Sequence, residues 1–451
     1  MRELDPWIER QYRHAAAAML PSFSAVGIVK HRPGFGQTVT PKRGSIVASP
    51  VLAAYDPDPD YFFHWFRDSA VVIDAVRLLL ADGALARAAA LEYFHDFVQF
   101  SLSLLERDGR ALVASPGWRG GVQPDFATFI RTDADLSAIH GELVSAEARV
   151  NPDGTLDISN WARPQHDGPP LRLLAVLRWM RDVTLDDSLL TAAAQLVRAD
   201  IAFTRNRWRI PSVDIWEEEK GHHYYTLRVA AEALVNAAEW LDRQGDAGEA
   251  QLCREDAQAI MRLLDGYWLA EGRYYRSRVL EDGTRSTKEL DIAVIFAAIH
   301  GAGMQPTHSV HDPRMQATLA RLEALFDAEY PINQARPAGR GPAMGRYQGD
   351  VYYSGGAYYF STLAAAEFCF RAAVGQRDGP ARKTHGPAFL ERGEAYLETV
   401  RAFTPPSGDL SEQFDQKSGA QTSARHLAWS YAAFISSVVA RRDARRVLHA
   451  T

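Results

Sequence analysis

Two short segments of this 451-residue chain carry residue types that could do acid–base chemistry together. Asp214-Ile215-Trp216-Glu217-Glu218-Glu219-Lys220-Gly221 sets consecutive carboxylates beside a tryptophan, ahead of an apolar helical run. Ser411-Glu412-Gln413-Phe414-Asp415 sets a carboxylate in a polar turn ahead of another such run. Glycoside hydrolysis needs one protonated carboxylic acid at the leaving oxygen and one ionised carboxylate that activates water or attacks. Glu217 suits the acid, because the neighbouring Trp216 indole could exclude water and raise the carboxyl pKa. Glu218 points elsewhere in any regular local structure and suits a hydrogen bond to a substrate hydroxyl. Glu412, among polar neighbours, is expected to stay ionised as a base. An acidic run before a helix also serves as an N-terminal cap, so that alternative stays open for both segments.

Other loops carry related chemistry. Asp60-Tyr61-Phe62-Phe63-His64-Trp65-Phe66-Arg67-Asp68 crowds aromatics, a histidine and an Arg-Asp pair together. Aromatic faces against sugar C–H groups, with Arg67 and Asp68 on hydroxyls, fit a pyranose pocket. A helix start with an Arg–Asp ion pair is the alternative. Arg163-Pro164-Gln165-His166-Asp167-Gly168-Pro169 and Arg346-Tyr347-Gln348-Gly349-Asp350-Val351-Tyr352-Tyr353 are similar in kind. No G-x-S-x-G elbow, H-E-x-x-H or phosphate-binding loop occurs. His222 and His223 are adjacent rather than four apart, so they read as pocket-wall or capping residues. No metal and no cofactor are expected.

The elements that must position these loops are helical. Apolar residues recur at three- and four-residue steps over 5–20, 66–82, 84–106, 169–182, 187–203, 222–244, 246–268, 289–300, 312–327, 355–373, 387–401 and 422–441. Short polar joints such as Asp82-Gly83 and Asp186-Asp187 favour antiparallel hairpins. Every even-numbered helix is instead entered through a decorated loop: 60–68, 161–168, 214–223, 288–291, 346–356 and 411–421. A closed ring of six helical hairpins, an (α/α)6 barrel, puts those six entries around one cavity. An open helical solenoid would require a repeated motif, and none is present. Two inserts interrupt the pattern: 107–160 reads as mostly loop and 270–287 as a small β-hairpin.

Composition narrows the partners. Hydrophobic residues make up 47% and charged residues 24%, as in ordinary globular proteins. The net charge of −6 comes with no basic stripe, which argues against nucleic acid. Cys253 and Cys369 lie in apolar helical patterns and read as buried free thiols. The start, Met1-Arg2-Glu3-Leu4-Asp5, is acidic, Ala15–Ala18 is too short for a signal-peptide core, and no stretch could span a membrane. A cytoplasmic protein is the expectation, and nothing sets its oligomeric state.

These motifs together resemble the glucoamylases, the inverting exo-glucosidases of glycoside hydrolase family 15. The matching segments are Ala48-Ser49-Pro50, Asp60-Tyr61-Phe62 with Trp65-Phe66-Arg67-Asp68-Ser69, and Trp161 through Pro169. They continue with Asp214-Ile215-Trp216-Glu217-Glu218, Arg346-Tyr347 with Asp350-Val351-Tyr352-Tyr353, Ser411 through Asp415, Ser423-Ala424-Arg425 and Trp429-Ser430-Tyr431. The resemblance implies an (α/α)6 barrel over residues 1–451 acting on oligosaccharides, with Glu217 as general acid and Glu412 as general base. It implies that Arg67 and Asp68 grip the non-reducing glucose, that Tyr61, Trp65, Trp161, Trp216 and Trp429 are pocket aromatics, and that Glu218 and Arg346 bind substrate near the scissile bond. Inversion implies the two catalytic carboxyls about 6.5–9.5 Å apart. The chain departs from many relatives at His64, at Phe66 and at Glu219-Lys220-Gly221-His222-His223, the last expected to shape the leaving-group side. No starch-binding module or N-terminal β-sandwich is recognised. The α-1,4 linkage leads. Isomaltose- or dextran-type α-1,6 bonds, trehalose, or a non-catalytic carbohydrate-binding barrel are the alternatives.

Overall fold

The computed structural model describes residues 4–54, 57–303, 306–375 and 381–449. Met1–Glu3 of the acidic start lie outside them. The long helices are α1 (Leu4–Met19), α2 (Phe66–Ala81), α3 (Arg87–Leu105), α4 (Gly168–Asp182), α5 (Asp187–Arg207), α6 (Tyr224–Arg243), α7 (Ala247–Asp265), α8 (Ala293–His300), α9 (Pro313–Glu329), α10 (Tyr359–Val374), α11 (Ala381–Phe403) and α12 (Ala428–His449). The even-numbered helices pack each against the next, α2 to α4, α6, α8, α10 and α12, and α12 closes back on α2. The odd-numbered helices form an outer layer, each against an inner partner, with α1 on α12. This is an (α/α)6 barrel.

Patterning explains the two layers. α7 buries Ala250, Cys253, Ala257, Ile260 and Leu264, one stripe at helical spacing, as an outer helix should. α8 buries all seven residues from Ala293 to Ile299, and α10 is buried nearly throughout, as helices wrapped on every side must be. Both cysteines are buried and free. Among the described residues no helix is long and apolar enough to cross a membrane.

α2 and α4 begin within one residue of where periodicity places them, whereas α6, α8, α10 and α12 begin later, because their entries are spent on the cavity or on short strands. α8 starts at Ala293 rather than 289, since Asp291 is extended and bridges to Tyr347. α10 starts after Gly355 and Gly356, both at positive φ, and α12 starts after a short strand at Gln421–Thr422. The 270–287 hairpin is also redrawn. Tyr274–Tyr275 pairs with Trp268–Leu269, whereas Arg278–Leu280 pairs with Lys220–His223, which in turn pairs with Ser212–Val213. The 107–160 insert contains short helices at Gly109–Ala114 and Asp133–Ser137, and its strand Arg149–Val150 pairs with His64–Trp65.

Candidate active site

Five of the six decorated loops line one cavity of about 240 Å³. Its wall holds Tyr61, Trp65, Arg67 and Asp68 at the entry to α2, Trp161 before α4, and Trp216, Glu217 and Glu218 before α6. Arg346 precedes α10, and Glu412 and Trp429 flank the start of α12. Every residue for which the family resemblance implied a catalytic or substrate-binding role is therefore in that wall, joined by Ala48, Ile215, Tyr352, Phe360 and Leu427. Tyr352 was quoted only as part of a motif. Among the described residues no cluster of three or more His, Cys, Asp or Glu is arranged to hold a metal.

Helix capping does not account for the carboxylates. Outer helices α5, α7 and α9 are capped by Asp186, Asp246 and Asp312, whose side chains accept backbone N–H groups. Inner helices α2, α4, α6, α8 and α10 have no side-chain cap bond. Glu217 accepts instead from two indoles, Trp65 Nε1 at 2.7 Å and Trp161 Nε1. Its neighbours are thus not the one expected: Trp216 turns its own N–H to Asp291, 2.9 Å away, and lays its ring near Phe360. Glu217 adopts φ +64°, a left-handed conformation that a residue with a Cβ holds only when its surroundings enforce it. Asp214 supplies that enforcement, its carboxylate accepting from the N–H groups of Trp216 (2.7 Å), Glu218 (3.3 Å) and Glu219 (3.0 Å).

Glu412 lies in less polar surroundings than its sequence neighbours suggest. It is 8% exposed, accepts from the Ser423 hydroxyl and lies 3.3 Å from the Tyr61 hydroxyl, which pairs with Tyr352 at 2.9 Å. Burial pushes its pKa up to about 7, against the lowering effect of Ser423, Arg346 and Tyr61. The expectation of a base kept ionised by a polar turn is corrected on this point. Ser411 and Gln413 turn to backbone and to Tyr352 and Tyr358, leaving the carboxyl itself in a buried wall.

Beside Glu217, polar groups stand ready but unpaired. Arg67 lies 3.2 Å from Asp167, 3.5 Å from Asp68 and 4.0 Å from Glu217. The close approach of α2 and α4 that allows this depends on Gly168, where a Cβ would sit 2.4 Å from that of Phe66. Burial pushes Asp68 up to about 6. Arg67 Nε, Asp68 Oδ2, Asp167 Oδ1 and Trp429 Nε1 are buried without a hydrogen-bond partner. Unpaired buried donors and acceptors are costly, and three of these four side chains, those of Arg67, Asp68 and Trp429, belong to the cavity wall. Trp429 and Phe360 stack at 4.6 Å with Phe296 against both, forming the floor. Beyond that floor a second cavity of about 240 Å³ is lined by residues nearer the other ends of the inner helices, including Asp74, Arg178, Glu367 and Arg371. Its carboxylates are committed, Asp74 to Arg77 and Arg178, Glu367 to Arg371 and Ser436.

The segment after Glu218 does not build this wall. Glu219 binds Arg278 and Ser286, Lys220 pairs with Glu281 at the surface, and His223 bonds the Ser212 carbonyl. None of Glu219 to His223 lines the cavity, because the backbone there is a strand in a three-stranded sheet. His64 and Phe66 also face away, packed with each other and, for His64, with Phe100.

Two arginines that support the site lay outside every motif. Arg149 from the insert pairs with Asp157 at 2.9 Å and places its guanidinium 3.9 Å from the Trp161 ring and 4.8 Å from that of Trp65. It steadies both indoles that hold Glu217. Arg278, almost wholly buried, joins Asp214 (2.8 Å), Glu219 (2.8 Å) and Asp291. Arg278→Met should therefore strand two buried carboxylates and destabilise the protein by about 3–5 kcal/mol in urea denaturation at neutral pH. A loss below about 1 kcal/mol would remove Arg278 from this role. Only an alternating strand pattern around 278 could have pointed to it, and its partners lie on two other segments, the 214–219 turn and the entry to α8.

The model of the family described as glycosyl hydrolases family 15 matches residues 143–439. A glucoamylase of Neurospora crassa is 28% identical over 438 residues, which cover 88% of this chain but 63% of that protein, less than two thirds of its length. A probable glucoamylase of Schizosaccharomyces pombe is 27% identical, with 98% of this chain and 92% of that protein covered. The solved glucoamylase of Saccharomycopsis fibuligera superposes with a TM-score of 0.78 at 19% identity, over 98% of this chain and 96% of that one, and so speaks to the fold. With the matched region spanning most of the barrel and the motif residues converging on one cavity, this chain belongs to family 15 of the glycosyl hydrolases.

Proposed function

We propose that the protein is an exo-acting, inverting hydrolase that releases β-D-glucose from the non-reducing ends of α-linked gluco-oligosaccharides, with α-1,4 bonds preferred. The observation that carries this reading is the placement of Glu217 and Glu412 in the wall of a single small cavity beside Arg67 and Asp68. A volume of about 240 Å³ equals roughly eight waters of bulk liquid, which suits one terminal sugar unit better than a through-running chain. A purely carbohydrate-binding barrel would have no use for a second carboxylate held in the same wall.

In the mechanism, the Glu217 carboxylic acid donates its proton to the glycosidic oxygen as the C1–O bond breaks. Water attacks C1 from the opposite face, and Glu412 takes the proton that the water loses. Arg67, Asp68 and Trp429 line the part of the cavity that holds the sugar being released and face its hydroxyls. Tyr61 and Ser423 orient the Glu412 carboxylate toward the water.

Proton NMR of fresh digests of maltose, isomaltose, trehalose and maltoheptaose tests the reading. Maltose and maltoheptaose should yield glucose as the first product, initially as the β-anomer. Initial α-glucose would contradict inversion, and early maltotriose or maltotetraose from maltoheptaose would contradict exo action.

A further inference from the structure

Glu218 is held more tightly than a residue with only a substrate to wait for. Its Oε1 accepts from Arg346 Nη2 at 3.1 Å and from the Tyr347 hydroxyl at 2.7 Å. Its Oε2 lies 2.6 Å from Lys288 Nζ and 2.5 Å from the same hydroxyl. Arg346 does not depend on Glu218 for its place, because Asp350 accepts from its Nε at 2.6 Å and from its Nη2 at 2.5 Å. Lys288 is a different kind of partner. Its backbone is pinned: the N–H donates to Ser286 Oγ at 2.9 Å and the carbonyl accepts from Ser277 at 3.1 Å. Ser286 in turn donates to Glu219 at 2.7 Å, tying this loop to the strand behind the catalytic turn. From that fixed base the side chain passes the Tyr347 ring, 4.8 Å from its centroid, and ends partly exposed against Glu218.

The remaining decorated loop, 288–291, therefore reaches the cavity wall at two points, through Asp291 on Trp216 and through the Lys288 ammonium on Glu218. An ammonium carries three N–H donors, and Glu218 takes one of them. The carboxylate it meets belongs to the wall but takes no part in either proton transfer. We propose that Lys288 is a specificity-determining positioning residue for the leaving group. It fixes Glu218 on the leaving-group side and, with it, presents a charged acceptor and donors that only a hydroxylated leaving group can use. Sugar–sugar bonds are thereby favoured over glucosides of apolar alcohols and phenols. This inference rests on the exo-glucosidase reading above. It also shifts the expected seat of specificity from Glu219–His223 to a loop sixty-odd residues later in the chain.

Maltose and 4-nitrophenyl α-D-glucoside separate the two roles, since the aryl leaving group offers no sugar hydroxyls. Lys288→Met should lower kcat/KM on maltose by about tenfold or more, mainly through KM, the size expected for losing a charge-assisted hydrogen bond. The aryl glucoside should change by no more than about twofold, and Lys288→Arg should restore most of the maltose loss. Equal losses on both substrates, or no loss on maltose, would overturn the proposal. Should Lys288→Met melt well below the wild type, the Lys288→Arg and Lys288→Gln variants carry the same two-substrate comparison. A wild-type protein inactive on both substrates would overturn the underlying reading instead, and this inference with it.

Discussion

Glu217→Gln is expected to lower kcat on maltose by about 10³–10⁴-fold while KM changes little. The amide cannot supply the proton that the glycosidic oxygen requires, but it fills the same space. The substrate with which this loss should shrink is α-glucosyl fluoride, whose leaving group departs without protonation. A comparable loss on the fluoride would mean that Glu217 does something other than donate a proton. Stability should fall slightly, by about 1 kcal/mol. The carboxylate accepts from both Trp65 and Trp161, whereas Gln has one oxygen and must turn its NH₂ toward the other indole.

Glu412→Gln should cost activity on the same scale but move stability in the opposite direction, and only at certain pH values. Burial lifts the folded carboxyl from its ordinary 4.5 to about 7. Below pH 4.5 the group is protonated whether the chain is folded or not, and folding is indifferent to it. Between 4.5 and 7 the unfolded chain releases the proton and the folded chain holds it, so stability declines as pH rises. Above 7 the fold carries the full cost of a buried carboxylate, on the order of 3 kcal/mol for a shift of this size. Glutamine never ionises. Melting curves should therefore show Glu412→Gln more stable than wild type at pH 8, with the gap closing toward pH 4. A gap that is constant with pH would refute the assignment of that cost to Glu412. The same titration sets the activity profile, since only the ionised base accepts a proton: kcat/KM should fall on the acid side with a midpoint near pH 7. An acid limb lying two or more pH units lower would show that substrate-free burial does not govern the base.

The barrel was legible in the sequence because its two layers differ in composition along the helix faces. α7 has one apolar stripe and α8 has no polar face, and the decorated loops before α2, α4 and α6 alternate with plain joints. The wall of the cavity was legible for the same reason, since Trp65, Arg67 and Glu217 are costly residues to place at a helix entrance unless they serve it. What escaped was pairing between distant segments. Nothing near Arg278 announces that Asp214 and Asp291 converge on it, nor does anything near Arg149 announce the two indoles it supports. Polarity of neighbours in sequence also misled at Glu412, because side chains adjacent along an extended segment face opposite ways. At Glu219–His223 the unusual residues belong to the central strand of a three-stranded sheet, and the turn before it, outside the wall, and unusual composition there did not mean a place in the cavity.

The ring is closed by α12 docking on α2 and α1, so that helices from opposite ends of the chain meet. That closure is the most non-local contact in the molecule, and loop-closure entropy makes such contacts late events in folding. Tyr61, Trp65, Arg67 and Asp68 meet Glu412 and Trp429 only once it has happened. A nascent chain can thus complete five of its six hairpins and still hold Glu217 without Glu412. The wall of the cavity is completed in one step, with the docking of the last helix.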